Sequence, residues 1–124
     1  MKKKFLITDR LQSFSYAWSG IRSALQTEHN TWIHLALTIA AIVMGLIFKI
    51  SRIEWMALVI AFGLVWLAEL FNTAIEKTVD FISVEKHPQI KTIKDIAAAA
   101  VLVAAIAAMA IGCLIFIPKF LLND

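Results

Sequence analysis

Apolar positions recur along this chain in two different rhythms. Over residues 7–26, Ile7, Leu11, Phe14, Trp18, Ile21 and Leu25 follow one another at spacings of three and four, while Ser13, Ser19, Arg22 and Ser23 fall elsewhere. That spacing is one face of a helix. An amphipathic helix lying in a membrane interface fits it, with Tyr16 and Trp18 at headgroup depth. A soluble helix packed on another domain would show the same period, but no other soluble domain is in view.

The rhythm then gives way to long apolar runs. Residues 31–50 are interrupted only by Thr31, His34, Thr38 and Lys49. At 1.5 Å per residue they cover about 30 Å, one hydrocarbon thickness. Residues 53–80 begin with the apolar run 55–68 and then turn acidic at Glu69, Glu76 and Asp80. Residues 96–117 are almost uninterrupted Ala, Val, Ile, Leu and Met, and Pro118 is expected to end them. Only residues 51–52 and 81–95 link the spans, and no internal repeat or low-complexity tail is visible. The pattern predicts an all-α integral membrane protein, with an interfacial helix and three transmembrane helices in a single domain over residues 1–124.

Composition agrees. Hydrophobic residues make up 60% of the 124, against roughly 45–50% in soluble chains, so the excess must face lipid. Twelve Lys and Arg oppose nine Asp and Glu. No zinc-finger or nucleic-acid signature accompanies the positive balance, which reads as a membrane-surface effect; the bilayer is the expected partner and nucleic acid is not. Cys113 is the single cysteine, which rules out an intrachain disulfide and a multi-cysteine metal site. Lys2, Lys3 and Lys4 open the chain, but Thr8, Asp9, Arg10, Gln12 and Ser13 break the apolar stretch that a signal peptide needs, so the N-terminus is expected to stay on the mature protein. Lys2, Lys3, Lys4, Arg10, Arg22, Lys86, Lys91 and Lys94 lie on one side of the expected spans and Lys49, Arg52 and Lys119 on the other. Eight against three predicts a cytoplasmic N-terminus, a cytoplasmic 81–95 loop and an outer C-terminus.

Candidate chemistry gathers on the cytoplasmic side. Glu69, Asn72, Glu76 and Asp80 are spaced by three, four and four, which places them on one stripe of a helix. Glu69 falls about 21 Å along the span from Trp55, near the inner edge of the hydrocarbon. A carboxylate there costs a few kcal/mol and reads by default as functional; it could serve as general base for an alcohol in the membrane plane. Asn72 could orient that base or a substrate hydroxyl. Glu76 and Asp80 continue toward water, where a helix end paired with Lys77 or Lys86 is the plainer account of Asp80. Glu28, at the junction of the first two helices, could join Glu76 in holding Mg²⁺, which takes few protein carboxylates and fills its shell with water and phosphate oxygens; alone it reads as a polar helix end. Asp95 suits a helix N-cap, and Lys94 beside it could meet phosphate at a helix N-terminus. Ala97-Ala98-Ala99-Ala100 allow close approach of a nucleotide or simply of another helix. His34 reads as a hydrogen-bonded intramembrane histidine outside the site, and His29 and His87 as interfacial. No glycine-rich phosphate loop and no soluble-kinase signature is present.

The run from Glu69 to Asp80 resembles the signature E-x-x-N-x-x-x-E-x-x-x-D of the bacterial diacylglycerol kinase and undecaprenol kinase family of membrane lipid kinases. Lys94-Asp95 followed by Ala99-Ala100-Val101 resembles its second motif, and Tyr16, Trp18, Gly20, Arg22 and Glu28 fall at matching places. The resemblance runs from about Arg10 to Phe116. It implies a homotrimer in the bacterial cytoplasmic (inner) membrane with sites shared between subunits, MgATP as phosphate donor and a lipid alcohol as acceptor. It implies Glu69 as general base with Asn72 in support, and Glu28 and Glu76 as metal ligands. Arg10, Tyr16, Asp80, Glu85, His87, Lys94 and Asp95 would surround the nucleotide. Glu85-Lys86-His87-Pro88 looks closer to the undecaprenol branch, and diacylglycerol stays open. Two rivals would put the same residues to other use. A proton-relay or transport protein would run through Glu69 and His34, although such sites favour the bilayer midplane and repeated broken helices. A non-catalytic assembly subunit would need no carboxylate stripe.

Overall fold

The computed structural model describes residues 2–122 as four helices: α1 (Ile7–Thr27), α2 (His29–Ile47), α3 (Arg52–Ile82) and α4 (Pro88–Leu122). The all-α class expected from the hydropathy pattern is found, with no strand among the described residues. α2, α3 and α4 are each long and apolar enough to cross a membrane.

α1 and α2 are separated by a single extended residue, Glu28, whose N–H still closes α1 onto the Ala24 carbonyl at 3.0 Å. The next connection is tighter than its sequence suggests. Beyond Phe48, the C-cap of α2, Lys49 turns the chain at φ 50°, and the Ile50 N–H returns to the Gly45 carbonyl at 3.2 Å. This is the six-to-one bond of a Schellman ending, with an apolar residue just beyond the left-handed position. Glycine is usual at that position; lysine bears a Cβ penalty there. Lys49→Gly is therefore expected to raise stability by a few tenths to about 1 kcal/mol, the relieved strain being partly offset by unfolded-chain entropy. Thermal unfolding in detergent checks this, and a lower midpoint would mean that the Lys49 side chain contributes more than its backbone costs.

Ser51 starts α3 with a reciprocal cap: its Oγ accepts from the Glu54 N–H at 3.2 Å and its own N–H donates to Glu54 Oε1 at 3.1 Å. The other Glu54 oxygen meets Lys119 Nζ at 3.1 Å, tying the start of α3 to the end of α4. Beside this pair Ile50, Leu58, Ile115 and Phe116 form the buried cluster, packed by Met44, Phe48 and Trp55. Phe48 also meets Phe120 edge-on, with ring centroids 4.8 Å apart. Gly45 is needed here, because a Cβ would stand 2.6 Å from the Trp55 ring.

Those contacts revise one boundary. Pro118 does not end the last helix, which continues to Leu122. Proline removes one backbone bond, but Lys119 and Phe120 hold the final turn in place from either side. The start of α4 differs more. It lies at Pro88, eight residues before the expected Ile96, so Asp95 is inside the helix and is not its N-cap. His87 takes that role. Its Nδ1 accepts the Gln89 N–H at 3.1 Å, its carbonyl accepts the Lys91 N–H at 3.1 Å, and Pro88 occupies the first helical position, where it has no N–H to leave unpaired. The second linker therefore shrinks to residues 83–87.

Helix length then places the site. α2 has 19 residues, α3 31 and α4 35, or about 28, 46 and 52 Å. α2 and α3 are joined by the short turn at one face, and α4 runs along α3. The surplus length of α3 and α4 emerges together at the opposite end, beyond the packed cluster.

Candidate active site

On α3 the buried positions Leu58, Ala61, Val65, Glu69 and Thr73 follow at spacings of three and four. They form one face turned toward the other helices. Glu69 thus occupies a core position by register, and only 5% of its surface is exposed. A buried carboxylate needs a partner. His34 supplies it from α2, with Nε2 2.6 Å from Glu69 Oε1 and a side chain 19% exposed. Two lone pairs at that distance would repel, so a proton lies between them. One turn further along α2, Thr38 donates to the His34 carbonyl at 2.7 Å and accepts from the Trp66 indole N–H at 3.1 Å. The His34 turn is therefore tied to α3 one turn from Glu69. The sequence pattern leaves His34 outside the candidate site; the structure sets it against Glu69. The available signal was the rarity of any ionisable side chain in an apolar span.

Asn72, one turn beyond Glu69, is half-buried, and its Oδ1 is buried without a hydrogen-bond partner among the described residues. An unpaired buried acceptor costs free energy; this one sits beside the carboxylate stripe, where a donor on a substrate or a second chain would satisfy it. Glu76 follows half-buried and Asp80 exposed. The Lys94 ammonium meets Asp80 Oδ1 at 2.7 Å and joins the projecting ends of α3 and α4. Asp80 therefore pairs with Lys94 and not with Lys77 or Lys86; Lys77 instead reaches Ser23 Oγ on α1 at 3.4 Å. Asp95 turns to Lys91, 2.6 Å away on the same helix.

Glu28 is half-buried in the break between α1 and α2, and its side chain caps neither helix. The Ser23–Lys77 bond holds the end of α1 against the turn of α3 that carries Glu76. Among the described residues no three His, Cys, Asp or Glu side chains cluster as a metal site. Two oxygen-bearing side chains fit Mg²⁺, which needs one or two carboxylates once substrate phosphates complete its shell. Glu85 lies exposed in the linker and His87 caps α4. Tyr16 is 69% exposed, and the Arg10 guanidinium lies over the Phe5 ring at 5.2 Å; neither is drawn toward Glu69 within one chain.

An apolar groove of about 420 Å³ runs between α2, α3 and α4. Ala41, Val65 and Ala108 line its walls, with His34 and Thr38 toward one end and Phe116 and Phe120 toward the other.

The profile of the family described as prokaryotic diacylglycerol kinase matches residues 15–116. This chain belongs to that family. A Bacillus subtilis protein named undecaprenol kinase is 44% identical over 108 residues, covering 87% of this chain and 88% of its own. A Synechocystis protein named diacylglycerol kinase is 38% identical over 112 residues, covering 90% of this chain and 64% of its own length. An Escherichia coli K12 protein named diacylglycerol kinase is 30% identical over 110 residues, covering 89% of this chain and 90% of its own. The matched stretch includes every candidate residue except Arg10, which precedes it.

Proposed function

We propose that this chain is a membrane lipid kinase that transfers the γ-phosphoryl group of ATP to the hydroxyl of undecaprenol or diacylglycerol. The observation that carries the reading is Glu69: a buried carboxylate held by His34, on the helix stripe that continues through Asn72 and Glu76. Membership of the prokaryotic diacylglycerol kinase family supports the reaction class. The identity of 44% to a protein named undecaprenol kinase favours the isoprenoid alcohol.

In this mechanism the acceptor hydroxyl reaches Glu69 from the membrane plane. The groove ending at His34 suits a long hydrocarbon carrying one polar end. Glu69 removes the hydroxyl proton as the oxygen attacks the γ-phosphorus. The bond from that phosphorus to the β,γ-bridging oxygen breaks, and ADP departs. Asn72 supports the base. Glu28 and Glu76 would hold Mg²⁺, which neutralises phosphate charge. Lys94, kept in place by Asp80, contributes a second cation, with Asp95, Glu85, His87, Tyr16 and Arg10 about the nucleotide. Catalysis is then chiefly positioning and charge neutralisation, as phosphoryl transfer requires.

The assembly is a homotrimer in the bacterial inner membrane, with the N-terminus and the 83–87 linker cytoplasmic. The broad exposed apolar faces of α2, α3 and α4 support burial against other copies as well as lipid. The exposure of Tyr16 and the stacking of Arg10 on Phe5, with neither paired to the carboxylate stripe, support a site completed by a neighbour.

The test offers labelled MgATP to the protein in mixed micelles containing undecaprenol or diacylglycerol. Label in the isoprenoid alcohol above that in diacylglycerol is expected. Label in neither lipid would remove the kinase reading, and preferential labelling of diacylglycerol would reverse the choice of acceptor.

A further inference from the structure

A general base buried in a membrane span has to be held in orientation without a permanent cation beside it in the hydrocarbon. We propose that His34 is the positioning residue for Glu69: it presents a proton on Nε2 to Oε1 and leaves Oε2 to receive the acceptor hydroxyl. This rests on the reading of Glu69 as the base.

Three observations support it. His34 Nε2 and Glu69 Oε1 stand 2.6 Å apart, which requires a proton between them. The two residues come from different helices, so only the packed bundle brings them together. The His34 turn is itself tied to α3 through Thr38 and the Trp66 indole, which fixes the height of the imidazole against Glu69. A tie to one oxygen of a carboxylate stops its rotation and sets the direction of the free oxygen. Lysine or arginine could provide the same contact, but each would bring a charge that is expensive at this depth. Imidazole can donate from Nε2 while neutral. His34 also lines one end of the apolar groove, so the residue that holds the carboxylate borders the space a hydrocarbon chain would occupy.

The experiment compares His34→Phe, His34→Gln and Glu69→Gln in the full chain. Each is assayed for kcat with the lipid acceptor, for the MgATP concentration giving half-maximal rate, and for oligomer size and thermal midpoint in detergent. His34→Phe keeps a planar ring and removes the donor; it is expected to lower kcat about 10- to 100-fold, the scale found when the hydrogen-bond partner that orients a metal ligand is lost, with the MgATP dependence unchanged. His34→Gln restores an N–H donor and is expected to recover most of the rate. Parental turnover in His34→Phe overturns the proposal. So does a folded His34→Gln that is as slow as His34→Phe, because the donor would then be irrelevant. If His34→Phe does not fold, His34→Gln decides alone: near-parental turnover upholds the proposal, and a folded variant as inactive as Glu69→Gln overturns it. Activity retained in Glu69→Gln would instead remove the base itself, a result separate from any outcome at His34.

Discussion

Glu69→Gln is expected to lower phosphate transfer to the lipid acceptor by about 10²- to 10⁴-fold, the range general-base catalysis supplies. The change keeps the shape of the side chain and removes its capacity to take a proton. On the rate scale this is roughly 3–5 kcal/mol of transition-state stabilisation. The fold should survive it. Glu69 is 5% exposed, and replacing a buried charge by a neutral isostere relieves desolvation while the His34 N–H keeps an acceptor in the amide oxygen. Oligomer size and thermal midpoint should therefore match the parent while label transfer disappears. A near-parental rate would show that the hydroxyl proton leaves by another route, and the role of the whole α3 stripe would need reassignment.

The second large effect is expected at Glu76. It lies half-buried one turn beyond Asn72 and forms no ion pair among the described residues, so its carboxylate is not engaged in holding the fold. Glu76→Gln retains the length and one oxygen of the side chain but loses the charge that a divalent ion selects. Substitution of an outer partner of a metal ligand already costs 10- to 100-fold, so removing the charge of a direct ligand should raise the half-saturating Mg²⁺ concentration by at least about tenfold. Excess Mg²⁺ should restore much of the rate, which a folding defect would not allow. An Mg²⁺ titration superimposable on the parent would take Glu76 out of the metal site and leave Glu28 without its proposed companion.

Local features were legible because they repeat at short range. The apolar runs announced three candidate spans and an all-α class, since hydropathy and helical rise are properties of consecutive residues. The stripe through Glu69, Asn72, Glu76 and Asp80 was legible for the same reason: spacings of three and four specify a shared face wherever the helix packs. The true start of α4 was also written locally, in His87-Pro88, but Asp95 offered a competing cap signal, and only the backbone bonds from Gln89 and Lys91 to His87 distinguish the two. The sequence likewise shows Pro118 as a helix breaker, yet α4 runs through it because Glu54 and Phe48, more than sixty residues away, grip the next turn.

By itself, then, the sequence determined that this chain is helical, lies in a membrane and carries a line of acids along one span. Partnership was decided by the tertiary structure. Which cation meets Asp80, and that a histidine 35 positions before Glu69 stands 2.6 Å from its carboxylate, depend on how α2 and α4 lie against α3. Helix periodicity orders residues within one element; the register between elements comes from packing at their far end, where Ile50, Leu58, Ile115 and Phe116 close the bundle and so align the polar groups at the other.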